Sequence, residues 1–100
     1  MSIANARSIS YFDTMDLSAR HRATLQAIFA DPLRSNIPWR EIEQLFVACG
    51  GEVTEGSGSR VRVTLKGVRA VFHRPHPQKD TEKGALRSVR RFLAEADIRP

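Results

Sequence analysis

The chain has a single cysteine, Cys49, so no internal disulfide can staple it, and His21, His73 and His76 are too scattered to join that thiol in a zinc site. Neither a metal nor another cofactor is expected. Cys49 falls on an apolar helical stripe, where a small core residue is the ordinary occupant. No window approaches the ~18 apolar residues that a membrane-spanning helix needs, and the opening MSIANARSISYFDTMDLSARH has no continuous apolar stretch. Export and membrane insertion are therefore disfavoured, and a cytoplasmic protein is expected. Strand aromatics are scarce too: Phe72 stands alone, with inward parity, so the display of rings used by RRM-type single-strand readers is missing. With 100 residues there is room for one modest core, and none for separate catalytic and substrate domains.

Acidic residues are few where the basic ones concentrate. Residues 60–91 hold ten Lys or Arg against Asp80 and Glu82, a net of +8, whereas residues 1–59 carry five basic and seven acidic side chains, a net of −2. That asymmetry points to an anionic partner for the C-terminal half, nucleic acid being the commonest, although a solvated basic surface gives the same pattern.

Residues 1–16 show no periodicity. From Ser18, a plausible N-cap, SARHRATLQAIFADP places Leu25, Ile28 and Phe29 at helical spacing and stops at Asp31-Pro32, a short helix whose narrow stripe must lean on the main domain or on a partner. His21, on this helix, is expected at the surface. SNIPWREIEQLFVACGG predicts the clearest helix: Pro38 suits its start, Glu41 and Glu43 suit its positive end, Gly50-Gly51 stop it, and Ile42, Leu45, Phe46 and Cys49 share a face. Trp39 lies off that stripe, at the core edge or open to a partner.

A short strand over Glu52 to Glu55 leads to Gly56-Ser57-Gly58-Ser59. In RVRVTLKG, Val61, Val63 and Leu65 then alternate with Arg62, Thr64 and Lys66, the period-two pattern of a strand with one polar face. Lys66-Gly67 makes a tight turn into VRAVFH, where Val68, Ala70 and Phe72 face inward. Asp80 or Thr81 can cap a last helix with Leu86, Val89, Leu93 and Ala96 on one face. The order α, β, β, β, α predicts an α+β two-layer sandwich like that of double-stranded-RNA-binding domains, with an extra N-terminal helix. The expected division is an N-terminal extension over residues 1–36 and an RNA-binding domain over residues 37–100.

Ile37-Pro38-Trp39-Arg40-Glu41-Ile42 opens the main helix, Gly56-Ser57-Gly58-Ser59-Arg60 leads into the basic strand, Arg74-Pro75-His76-Pro77 follows the third strand, and Lys83-Gly84-Ala85-Leu86 with Val89 marks the closing helix. In this order and spacing, residues 37–96 resemble the HicA toxins. The resemblance implies a double-stranded-RNA-binding-like fold, messenger-RNA cleavage without a metal, and neutralisation by a HicB antitoxin that covers the active face. It also implies a catalytic histidine directly after the Gly/Ser loop, and alignment on Gly67 puts Arg60 there. Arginine stays protonated, with a pKa above ~12; it can bind phosphate or stabilise a phosphorane but cannot readily take a proton.

Metal-independent RNA hydrolysis needs a base for the 2′-hydroxyl, an acid for the leaving oxygen, and cations around phosphorus. His76, and behind it His73, are the candidate acid/base groups, since imidazole titrates near ~6.5. His73 is equally readable as a strand end, and His76 as a rigid turn residue between prolines. Arg60, Arg62, Lys66, Arg69, Arg74 and Lys79 are candidate RNA-binding cations, with Arg62 and Lys66 on one side of their strand. Gly56, Ser57, Gly58 and Ser59 either offer amides to a phosphate or simply connect a hairpin. Three functions remain open: a HicA-like endoribonuclease held by a HicB-like antitoxin, a non-cleaving module that binds RNA or antitoxin, and a DNA-binding or ribosome-associated basic domain.

Overall fold

Ser18 starts the first helix as its chemistry suggests: its hydroxyl accepts the His21 backbone N–H, and α1 runs over Ala19–Ile28. A computed structural model of the chain describes residues 17–75 and 79–100. The helix α1 ends ahead of Asp31-Pro32, at the cap Phe29, and buries Thr24, Leu25 and Ile28. Leu25 and Ile28 enter the common core, so α1 leans on the main domain.

The second helix, α2, spans Trp39–Ala48 and buries Trp39, Ile42, Leu45 and Phe46. Its stop is a Schellman turn: Gly50 N–H reaches the Val47 carbonyl at 2.9 Å and Gly51 N–H reaches the Phe46 carbonyl at 2.8 Å, with Gly50 at φ 90°. Gly51 is required by space, since a Cβ there would lie 2.8 Å from the Phe46 carbonyl oxygen. The chain then enters an antiparallel sheet of β1 (Glu52–Glu55), β2 (Arg60–Leu65) and β3 (Val68–His73), in the order β1-β2-β3. Lys66 at φ 50° and Gly67 at φ 83° form the loop between β2 and β3, the positive pair that a two-residue hairpin turn needs. Lys66 is thus a turn residue rather than part of the polar face of β2 beside Arg62.

The last helix, α3, covers Lys83–Glu95 and buries Leu86, Val89, Phe92 and Leu93. Its N-cap is Glu82, not Asp80 or Thr81. Those two are engaged elsewhere: Thr81 N–H donates to the Ile37 carbonyl at 2.9 Å, and Asp80 forms a backbone bridge with Pro38. This pairing ties the entry of α3 to the entry of α2. Phe92 joins the expected face, and Ala96 and Ile98 beyond it are buried as well.

Both α2 and α3 cover the inner sheet face, giving the α+β, double-stranded-RNA-binding-like sandwich that the strand and helix patterns predict. At its centre Trp39, Phe46, Phe72 and Phe92 form an aromatic cluster with ring centroids between 5.4 and 6.3 Å apart. Trp39 therefore closes the core edge. Cys49 is buried, as its stripe position implies. Among the described residues no helix is long and apolar enough to cross a membrane.

Candidate nucleic-acid interface

The register of the sheet fixes what its outer face presents. Residues directly opposite on neighbouring strands point to the same side, with Cβ atoms ~5 Å apart. Arg60 pairs with His73; Arg62 lies between Thr54 and Val71; Thr64 lies between Glu52 and Arg69. Apart from half-buried Thr64 these side chains are exposed, while Val61, Val63, Leu65 and Phe72 on the other parity are buried. A shallow concavity of about 500 Å³ runs over Thr54, Arg62, Thr64, Arg69 and Val71. Three arginines against Glu52 make this face electropositive, and Val71, 56% exposed, is an apolar point within it.

The cross-strand pair of Arg60 and His73 brings together two residues nominated separately from the sequence. Their juxtaposition was implicit in the Lys66-Gly67 turn, because a two-residue loop sets every pairing of β2 with β3. His76 lies outside the described residues. Lys79 is exposed near the start of α3, and its carbonyl accepts Trp39 N–H at 3.0 Å.

In the Gly/Ser connection, Gly56 N–H donates to the Arg60 carbonyl at 2.9 Å and Arg60 N–H to the Ser57 carbonyl at 3.1 Å. The Ser59 carbonyl accepts Arg74 N–H at 2.9 Å. These bonds fasten the loop to the end of β3, and Gly58 takes φ 62° at its tip.

Arg74 occupies a different place from the other cations. It shares the inward parity of Phe72, and its guanidinium is engaged by two carboxylates: Nε donates to Glu43 at 2.7 Å, Nη2 to Glu43 at 3.1 Å, and Nη1 to Glu55 at 2.7 Å. Hydrogen bonding to Glu43, then to Glu55, holds Arg74 charged well beyond the ordinary arginine range, and Arg74 in turn holds the Glu55 carboxyl below the usual carboxylate range. Glu43 also accepts the Trp39 indole N–H. Neither glutamate was recognisable as a partner in the sequence, since one is 31 residues away on α2 and the other 19 residues away on β1.

A larger concavity of about 710 Å³ lies at α1 and α2, lined by His21, Trp39, Gln44 and Val47 among others. His21 is half-buried there, not on the open surface, and its Nδ1 has no partner among the described residues. Of the nominated cations and histidines among the described residues, only Arg74 reaches this cleft, so it is not where they converge. The described residues include no cluster of three or more metal-ligating side chains.

A basic outer sheet face backed by two helices defines a small α+β domain with an electropositive surface. Residues 39–98 match the family model described as HicA toxin of bacterial toxin-antitoxin, and the chain belongs to that family. It is therefore a toxin-type component of a toxin-antitoxin system. No curated protein and no solved structure matches it.

Proposed function

We propose that the protein is an RNA-binding endoribonuclease of the cytoplasm that cuts messenger RNA without a metal and is silenced by a HicB-type antitoxin. The observation that carries this reading is the Arg60–His73 pair on the exposed sheet face, flanked by Arg62 and Arg69. Phosphates of an RNA strand lie along the arginines, a contact that positions the strand without reading its bases. At the pair, the His73 imidazole takes the proton of a ribose 2′-hydroxyl. The freed oxygen attacks the adjacent phosphorus, and the bond to the 5′-oxygen breaks. A cyclic phosphate and a 5′-hydroxyl result, the latter protonated by a second acid, the role left to His76. Arg60 stabilises the phosphorane charge in place of the family's histidine. The antitoxin covers the same face, with an acidic surface for the arginines and an apolar contact for Val71.

Arg60 also favours a second reading. Without a titratable group at that position the domain holds RNA or antitoxin but does not cut. Induction of the wild-type chain beside His73→Ala and His76→Ala, following growth and transcript integrity, separates the two. Growth arrest with transcript loss, abolished in either variant, supports cleavage and assigns its acid/base. Intact transcripts with soluble protein present support the non-cleaving module.

A further inference from the structure

The backbone groups of β3 divide between its two sides. Arg60 turns its own away from β3: its carbonyl accepts Gly56 N–H at 2.9 Å and its N–H donates to the Ser57 carbonyl at 3.1 Å. One step on, Arg74 N–H donates across to the Ser59 carbonyl at 2.9 Å. In an antiparallel ladder bonded and unbonded pairs alternate. Ala70 and Phe72, opposite Val63 and Val61, therefore bond β2, whereas Arg69, Val71 and His73 aim their N–H and carbonyl groups at the open edge. Among the described residues no strand pairs with that edge, and these three side chains are exposed. Edge strands are ordinarily blunted by proline, lysine or a bulge, and β3 has none of these along six residues in unbroken register.

We propose that the free edge of β3 receives an extended acidic segment of a partner protein as a fourth strand. Donors alternating with carbonyl acceptors match another peptide backbone, whereas the carbonyls would repel a phosphodiester, so RNA does not fit the edge itself. Side chains directly opposite on one face lie ~5 Å apart. The segment thus sets an acidic residue against Arg69, an apolar one against Val71 and a second acceptor against His73. A second copy of this chain fits worse, since antiparallel pairing about Val71 would bring each Arg69 opposite a His73 and double the arginines of the face. The other edge, the four-residue β1 with Glu52 and Glu55, is shorter and of the wrong sign. Where β3 ends, a pocket of about 300 Å³, lined by Pro75 and Ala85 among others, leaves space for a side chain that the added strand turns inward. That the segment belongs to the antitoxin rests on the proposed function; the strand pairing does not.

The test is titration of the full chain with a synthetic peptide, Thr-Glu-Thr-Val-Thr-Glu-Thr blocked at both ends, and separately with a short single-stranded RNA, following amide resonances and their hydrogen exchange. In the free chain the Arg69, Val71 and His73 amides exchange fast and those of Ala70 and Phe72 slowly. The peptide is expected to slow the first three, and a version with Lys for Glu is not. Arg69→Glu weakens the peptide about tenfold, an opposite-charge pair being replaced by a like-charge one. Val71→Pro removes an outward N–H and abolishes binding, yet melts well above Ala70→Pro, which cuts a ladder bond. Unmoved edge amides, equal binding of the lysine peptide, or Val71→Pro melting as low as Ala70→Pro overturn the proposal. So does a dimer whose edge amides are protected without peptide, which assigns the edge to a second copy. If RNA binds at the sheet arginines and the peptide leaves the edge unprotected, the strand site fails while the RNA reading stands. If the peptide protects the edge and RNA does not bind, the strand site stands and the RNA reading falls.

Discussion

The Arg90 guanidinium of α3 donates through Nε to the Ile28 carbonyl at 3.0 Å and through Nη2 to the Ala30 carbonyl at 2.9 Å, with its Cζ 5.8 Å from the centroid of the Phe29 ring. A cation thus caps the negative end of α1 from 60 residues away in sequence. Removing it strands two carbonyls and the ring contact. Arg90→Ala is expected to lose about 2 kcal/mol in chemical denaturation, with Arg90→Lys intermediate, because hydrogen bonds to charged groups are worth about 1.5–3 kcal/mol. A loss below ~0.5 kcal/mol would mean that α1 is held by Leu25 and Ile28 alone.

The outer-face arginines should betray themselves through salt. Each neutralised phosphate contributes a slope of about −0.7 in log affinity against log salt for single strands. Arg62→Ala and Arg69→Ala are each expected to reduce the slope by about that amount and to weaken all RNA sequences alike. Sequence-selective loss on either change would contradict a backbone role.

Arg74 should behave differently. Its charge is already met by Glu43 and Glu55, so Arg74→Ala is expected to lower the melting temperature while leaving the salt slope of RNA binding closer to wild type than Arg62→Ala does. A loss of about 0.7 from the slope with no change in melting would reverse that assignment.

Glu41 and Glu55 predict an acid limit to stability. Hydrogen bonding to Arg20 lowers the folded-state pKa of Glu41, and hydrogen bonding to Arg74 lowers that of Glu55. A carboxyl depressed on folding contributes stability that is present above its unfolded value, 4.5 here, and is lost as pH falls through the lower folded value. The melting temperature is therefore expected to drop from about pH 4.5 downward. Glu41→Gln and Glu55→Gln should each flatten that drop, and an unchanged acid profile in both would remove these pairs as its source.

Two glycines carry backbone demands that alanine cannot meet. Gly51→Ala places a Cβ against the Phe46 carbonyl, and Gly67→Ala forces φ 83° on an L side chain. The second should cost about 1–2 kcal/mol in denaturant titrations. The first should cost at least as much, because the close neighbour is backbone and must shift. Gly84→Ala, with open space around it, is the contrasting control.

What could be seen in the sequence was local. The alternation in Arg60–Leu65 and the paired glycines after Cys49 each encode their geometry within a few residues, and so does the Lys66-Gly67 turn. What escaped was set by distant partners. Thr81 looked like a cap, but its backbone pairs with Ile37 and the helix starts one residue later, after Glu82. The carboxylates that meet Arg74 come from other elements, Glu43 on α2 and Glu55 on β1. Phe92 belongs to the core because Phe46 and Phe72 meet it there. The Arg60–His73 pair lies between these cases: each residue was nominated singly, and only the hairpin register makes them neighbours.

Phe72 turns its ring inward to lie 5.7 Å from Phe46, and no phenyl or indole ring of the described residues stands on the outer sheet face. That face is a grid of charges without a platform for bases. RNA held there would be measured by the spacing of its phosphates and not by its letters. A protein so built would make little distinction between one transcript and the next, and its restraint would have to come from being covered.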